Sequence, residues 1–149
     1  MGDADDVIVE RLMYLRNELA YLNQERDRVR SFRQYVGDVR LEKAVERSLQ
    51  VAIEACLDIG RRLIALEGFR YPEDNKDVFR ILCEEGVVPE GLLPSRIDMA
   101  RFRNLIVHDY PRIDDARVYG MLKKRLDDFD AYTRTVVAYL EWEETAHGG

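Results

Sequence analysis

Arg103, Asn104 and His108 are the residues whose types and spacing could do chemistry in this 149-residue chain. A histidine with an ordinary pKa of about 6.5 moves protons near neutral pH. An arginine presents a planar fork of donors that grips carboxylates and phosphates. Both lie in one stretch, Arg96 to Asp109, whose apolar residues recur at helical spacing. On a wheel of about 100° per residue, Met99, Phe102 and Ile106 form one face, widened by Leu105 and Val107. Arg101, Asn104 and His108 make a narrow polar stripe on the opposite side. Arg103 stands apart from it, about 140° from His108 and among apolar neighbours.

A helix this apolar around its circumference is buried on more than one side. Arginine and histidine are costly there unless they are paired and hydrogen-bonded. One explanation is structural: Arg103 pairs with an acid such as Glu54 or Asp58, and His108 is a satisfied core histidine. The other is functional, with the arginine and histidine kept for an anionic ligand. The remaining chemistry is sparse. The second histidine, His147, lies in a Gly-ending tail, so a multi-histidine metal site is not expected. There is no glycine-rich phosphate loop, no serine-nucleophile elbow and no CxxC pair, and the sequence calls for neither metal nor cofactor.

The elements that must position these residues are helices. Ile8, Leu12, Leu15, Leu19, Leu22 and later Val29 repeat at steps of three and four. Val45, Leu49, Ala52, Cys56, Ile59, Leu63 and Leu66 do the same, with Val51 and Ile53 broadening the middle. A third seam runs through Tyr119, Leu122, Leu126, Phe129, Thr133, Val136 and Leu140. Steps averaging about 3.5 residues mark helices packed on helices, and no stretch alternates as a strand would. Gly37 ends the first helix in this reading, Asp38 caps the second and Gly68 ends it. Gly60, inside that helix, costs about 1 kcal/mol relative to Ala and so marks a close helix–helix approach. A short helix runs from Asp74 or Asn75 to Gly86, with Val78, Ile81 and Leu82 inward. After Pro89 and Pro94 comes the helix from about Ser95 to Asp109, ended by Pro111. The last helix starts near Asp114 or Asp115. The expected fold is all-α: one domain over residues 1–149, a four- to five-helix up-and-down bundle, with ends frayed at about 1–5 and 144–149.

Composition fits that reading. The chain is 46% hydrophobic and 35% charged, as helices with one buried stripe and ion-paired outer faces require. No apolar run approaches a bilayer span, and the acidic start, Met1 to Asp6, lacks the blocks of a signal peptide. Cys56 and Cys83 lie in expected helices and read as buried free thiols of a reducing compartment, the cytoplasm. A net charge of −6 opposes a protein wrapped electrostatically in nucleic acid. The acids are concentrated at the ends, however: residues 1–10 carry −4 and residues 127–149 carry −5, which leaves +3 on the span between. Arg26, Arg28, Arg30, Arg33, Arg40 and Lys43 cluster there, either as a local basic surface or as a solvated helix face.

The run Arg103-Asn104-Leu105-Ile106-Val107-His108-Asp109-Tyr110 resembles the Arg-x4-His-x-Tyr signature of HEPN-domain ribonuclease toxins, in particular their HepT branch. The order of helices is similar too, so the resemblance spans nearly the whole chain. It implies a metal-independent endoribonuclease, working as a homodimer whose site forms where two copies of the motif helix meet. On that reading His108 is the general acid/base, Arg103 stabilises the phosphate and Asn104 orients one or the other. The 2′-hydroxyl attacks, leaving a 2′,3′-cyclic phosphate and a 5′-hydroxyl. Because Arg103 and His108 diverge on one ideal helix, either the long arginine reaches across as the helix loosens before Pro111, or Arg103 of one subunit meets His108 of the other, with Arg101 as a helper. The resemblance also makes Tyr110 the acceptor of AMP groups added by a nucleotidyltransferase antitoxin, which silences the toxin. The alternative is a non-catalytic accessory module that binds a nucleotide or a nucleotidyltransferase partner. The RNA target has no readable signal.

Overall fold

In the computed structural model, which describes residues 5–108 and 113–147, every regular element is helical. The first helix, α1, spans Asp6–Arg28 and starts where the Asp5 carboxylate accepts the Val7 and Ile8 amides. The same carboxylate takes the Arg62 guanidinium at 2.9 Å, and that hydrogen bond holds the Asp5 pKa below its usual range. The first apolar seam was expected to continue to Gly37 as one helix, but it breaks. Val29 leaves the helix in extended backbone, and Ser31 caps a separate α2, Phe32–Val36, by accepting the Gln34 amide. The Gln34 carboxamide in turn accepts the Arg30 amide at 2.8 Å. This is a capping box shifted by one residue, since the side chain three residues on accepts from the amide before the cap, and Ser31-x-x-Gln34 is its mark in the sequence.

Asp38 then caps α3, Val39–Glu67, as expected, and Gly68 closes it at φ 70°, a conformation that Gly adopts without steric cost. This helix is the central element. Fourteen of its residues are buried, and α1 packs along much of its length. Gly60 is the predicted close approach: a Cβ there would lie 2.6 Å from Val78 Cγ1 of α4. The short helix α4, Asn75–Glu84, is capped by Asp74 and turns Val78, Ile81 and Leu82 inward. Arg70, in the loop before it, grips Asp77 through both terminal nitrogens at 2.8 Å and also reaches Glu84. The Arg70 hydrogen bonds hold the Asp77 carboxyl down at about 2. The start of α4 is thus fastened to the end of α3.

A 3₁₀ turn, Glu90–Leu92, leads into α5, Leu93–His108. This helix begins two residues before the expected Ser95, because Pro94 fits its first turn, where no amide donor is needed. The last seam also divides, into α6, Asp115–Lys124, and α7, Leu126–His147. The break at Arg125 has no glycine or proline to announce it. It is held instead by Arg125 Nε on Asp128 at 2.7 Å and by Lys123, which donates to the Arg26 and Val29 carbonyls at the end of α1. The apolar stripe still runs through the break: Leu122, Leu126, Phe129 and Val136 are all buried. Cys56 is buried and Cys83 half-buried, and both are free thiols. Among the described residues no helix is long and apolar enough to cross a membrane.

Candidate active site

Helix α5 is pressed against α3 and α4, which explains its apolar circumference. Met99, Ala100, Phe102 and Ile106 are buried, and Arg103 points toward α3. The Arg103 side chain is only 22% exposed. One terminal nitrogen stands 3.5 Å from Glu54 Oε2 on α3, and the other 3.4 Å from Asn104 Oδ1. Its Nε is buried and has no partner among the described residues. Contacts this long are weak hydrogen bonds, so the guanidinium is steered rather than consumed. Each terminal nitrogen keeps a second hydrogen that an anion could accept.

Of the two acids that the sequence offered as partners, Glu54 is the one that meets Arg103, while Asp58 pairs with Arg11 and Arg61. What the sequence did not disclose is the second layer around it. Gln50 donates to Glu54 Oε1 at 2.9 Å, one turn back along α3. On the other side, Asn75 at the start of α4 donates its Nδ2 to Asn104 Oδ1 at 3.2 Å. Arg61 of α3 donates to Asn75 Oδ1, which fixes the direction of that carboxamide. The consequence falls on Asn104. Its oxygen already accepts from Asn75 and Arg103, so its Nδ2 is turned the other way as a pair of donors. Asn104 therefore offers hydrogen to a ligand and does not act as a base.

His108 stands elsewhere. It occupies the last turn of α5 and is exposed, so the expectation of a satisfied core histidine fails. Arg101 is exposed as well and lies 3.7 Å from Asp98. Within one chain no hydrogen bond or ion pair among the described residues joins His108 to Arg103, Asn104 or Arg101. Arg103 and Asn104 are brought together; His108 is not brought to them. Tyr110, with Asp109 and Pro111, lies outside the described residues.

Two surface grooves, about 690 Å³ and 540 Å³, flank α7, one against residues 85–92 and one against α1. Neither of these two grooves is lined by Arg103, Asn104 or His108. The sequence reading also passed over Arg96, the largest fully buried side chain. Its guanidinium lies 5.8 Å from the Tyr132 ring centre, and one nitrogen meets Ser95 Oγ at 3.1 Å. Burial pushes the Arg96 pKa down, countered by the Asp128 carboxylate. Tyr132 in turn donates to the Cys56 carbonyl at 2.9 Å, so Arg96 and Tyr132 link α5 to α7 and α3 behind the site.

Comparison with known proteins bears on this geometry. The family model described as ribonuclease HepT-like matches residues 8–136. The chain is 24% identical to the mRNA nuclease HepT of Shewanella oneidensis over 134 residues, covering 90% of this chain and 98% of that protein. It is 25% identical to the putative RNase YutE of Bacillus subtilis, covering 91% and 89% of the two chains. Among solved structures, it superposes with a TM-score of 0.82 on the tri-AMPylated S. oneidensis HEPN toxin in complex with MNT antitoxin. Identity there is 23%, with 91% of this chain and 99% of that one covered. The helical order, the motif helix and its clamp on α3 thus sit within a match that takes in nearly the whole chain, which belongs to the ribonuclease HepT-like family.

Proposed function

We propose that this chain is the toxin of a toxin–antitoxin pair, a metal-independent endoribonuclease whose site is completed when two copies of α5 meet. The observation that carries this reading is the division of labour on α5. Arg103 is half-buried and held near Glu54 and Asn104, whereas His108 stands exposed on another face of the helix. Among the described residues nothing joins the two within one chain, and a twofold axis beside α5 would set Arg103 of one copy against His108 of the other. Half-buried Leu105 and exposed Val107 give that axis apolar surface to cover.

In the reaction, His108 takes the proton from the 2′-hydroxyl as the 2′-oxygen attacks the adjacent phosphorus. The bond from phosphorus to the 5′-oxygen breaks, and the leaving oxygen collects a proton from an imidazolium. Arg103 and the outward Nδ2 of Asn104 bind the non-bridging oxygens as their charge grows. The products are a 2′,3′-cyclic phosphate and a 5′-hydroxyl, with every proton accounted for. Arg101, exposed beside this surface, is the helper that draws in the strand. Tyr110 is the acceptor of AMP from a nucleotidyltransferase antitoxin. Added AMP so near His108 would repel and obstruct RNA.

Cleavage of a mixed RNA pool in excess EDTA tests this. Wild type is expected to cut, leaving cyclic-phosphate ends, and His108→Ala to lose the activity while keeping its fold. No cutting by an unmodified wild-type dimer would instead favour an accessory module that binds the nucleotidyltransferase. Incubation with the antitoxin and ATP should add AMP masses that Tyr110→Phe does not accept.

The role of Asn75 has its own test. Asn75→Asp keeps an acceptor for Arg61 but removes the donor to Asn104, freeing that carboxamide to flip. Losing one aligned donor of about 1.4 kcal/mol in the transition state corresponds to roughly a tenfold fall in kcat. KM and the thermal midpoint should change little. In an Asn104→Ala background the same substitution should have no further effect, because Asn75 acts through Asn104.

A further inference from the structure

The outer face of α3 carries a polar stripe that runs the length of the helix. Arg40, Lys43, Arg47, Gln50, Glu54, Asp58 and Arg61 follow one another at steps of three or four. On a wheel of about 100° per residue they fall within one narrow sector, opposite the buried spine of Leu49, Ala52, Cys56, Ile59 and Leu63. The second half of this stripe is the floor of the site already described, with Glu54 on Arg103 and Arg61 on Asn75. The first half is different in character. Arg40, Lys43 and Arg47 are all exposed, and none enters an ion pair among the described residues. Three unmatched cations in a row run against the grain of a chain with net charge −6.

Helical rise places Arg47, Lys43 and Arg40 about 10, 16 and 21 Å from Glu54 along the axis, a graded series leading away from the clamp. Across the stripe, α1 runs antiparallel to α3, fixed by Arg11 on Asp58 and Ser48 on Glu18. Between those two contacts, on the same flank of α1, the Tyr14 ring is 49% exposed. The ring stands at the Glu54 end of the line, with the Arg11 guanidinium 5.5 Å from its centre; an aromatic ring at the end of a line of cations suits a single strand, whose bases stack while its phosphates are neutralised.

We propose that Arg40, Lys43 and Arg47 form a track for the single-stranded RNA on one side of the scissile phosphate, with Tyr14 as a stacking platform for a base near Glu54. This rests on the ribonuclease reading above, because the track is defined by where it leads. The occupant is an RNA strand and not an acidic protein surface, since the cations are spaced along one line that ends at a phosphate clamp.

The test compares wild type with an Arg40→Gln, Lys43→Gln, Arg47→Gln triple variant, all at exposed positions outside the clamp. Single-stranded binding should weaken, and the slope of log K against log salt should shrink by about 2, as loss of three phosphate contacts requires. KM for a long RNA should rise, whereas cleavage of a dinucleotide, too short to reach Arg47, should match wild type. Tyr14→Ala should weaken long-RNA binding without altering the salt slope. An unchanged slope, or equal losses on the long and the minimal substrate, overturns the track. So does a variant that binds RNA normally but no longer associates with the antitoxin nucleotidyltransferase. Failure of the ribonuclease reading looks different: wild type itself would not cut, whatever the salt slope shows.

Discussion

Mixing Arg103→Ala protein with His108→Ala protein is expected to restore RNA cleavage to about a quarter of the wild-type rate, as a composite site across a twofold axis requires. Each variant alone should fall by about 10²–10⁴-fold, the usual span for removing a positioned acid–base or charge-stabilising group. Subunit exchange makes half of the dimers mixed. In a mixed dimer one of the two sites combines the intact Arg103 of one copy with the intact His108 of the other, and the second site lacks both. Were the two residues to work within one chain, no mixed dimer would hold an intact site and mixing would restore nothing. The structure favours the first outcome, because Arg103 is turned onto α3 and held near Glu54 while His108 is exposed at the last turn. Activity of each mixture measured with a cyclic-phosphate-specific assay, after confirming exchange by native mass spectrometry, decides the matter.

The second large effect concerns how α4 reaches the site. Gly60→Ala is expected to destabilise the fold by up to about 2 kcal/mol, the balance of two opposing terms. Alanine gains about 1 kcal/mol of helix propensity over glycine. Against this, the new Cβ would lie 2.6 Å from Val78 Cγ1, 3.1 Å from Leu82 Cδ1 and 3.2 Å from Tyr132 Oη. All three neighbours are fully buried, and Tyr132 is tethered to the Cys56 carbonyl, so none can move aside cheaply. Overpacking of a close-packed core costs about 1–3 kcal/mol and wins. Gly120→Ala is the matched control: Gly120 lies inside α6, and a Cβ there meets nothing within 4 Å. With only the propensity gain in play it should raise stability by up to about 1 kcal/mol. Opposite signs in urea denaturation would show that α3 and α4 are set at contact distance by one missing methyl. Two gains of similar size would mean that the clash at Gly60 is relieved by other shifts.

That comparison marks where the sequence was sufficient. The spacing at Gly60 announced a close approach before any neighbour was known, because a helix interior tolerates the cost of glycine only for a reason such as packing. In the same way Asp38, Asp74 and Gly68 fixed the ends of α3 and α4, since caps act through the backbone amides and carbonyls of their own turn. Ser31 and Gln34 carried an equally local signal that divides α1 from α2, hidden because the apolar seam runs right up to it at Val29 and the next glycine is Gly37. The division at Arg125 had no such signal. It depends on Lys123 reaching carbonyls at the end of α1, nearly a hundred residues earlier in the chain, and no window along the sequence contains both partners.

The site shows the same boundary. Helical periodicity put Arg101, Asn104 and His108 on one polar stripe and Arg103 on a different face, and the resemblance to the Arg-x4-His-x-Tyr signature singled out Arg103, Asn104 and His108; for Arg103's partner the sequence offered Glu54 or Asp58. The α3 stripe from Arg40 to Arg61 was equally legible, as a polar repeat opposite a buried one. Which way the Asn104 carboxamide points was not. Its direction is set by Asn75 and Arg61, which come to it from the start of α4 and the far half of α3. Those two meet only because Gly60 lets α4 settle onto α3 and Arg70 ties it there. Local hydrogen-bonding and period are properties of a segment, so the sequence determines them by itself. The orientation of a polar side chain depends on donors arriving from elsewhere in the chain, and only the packed tertiary structure supplies them.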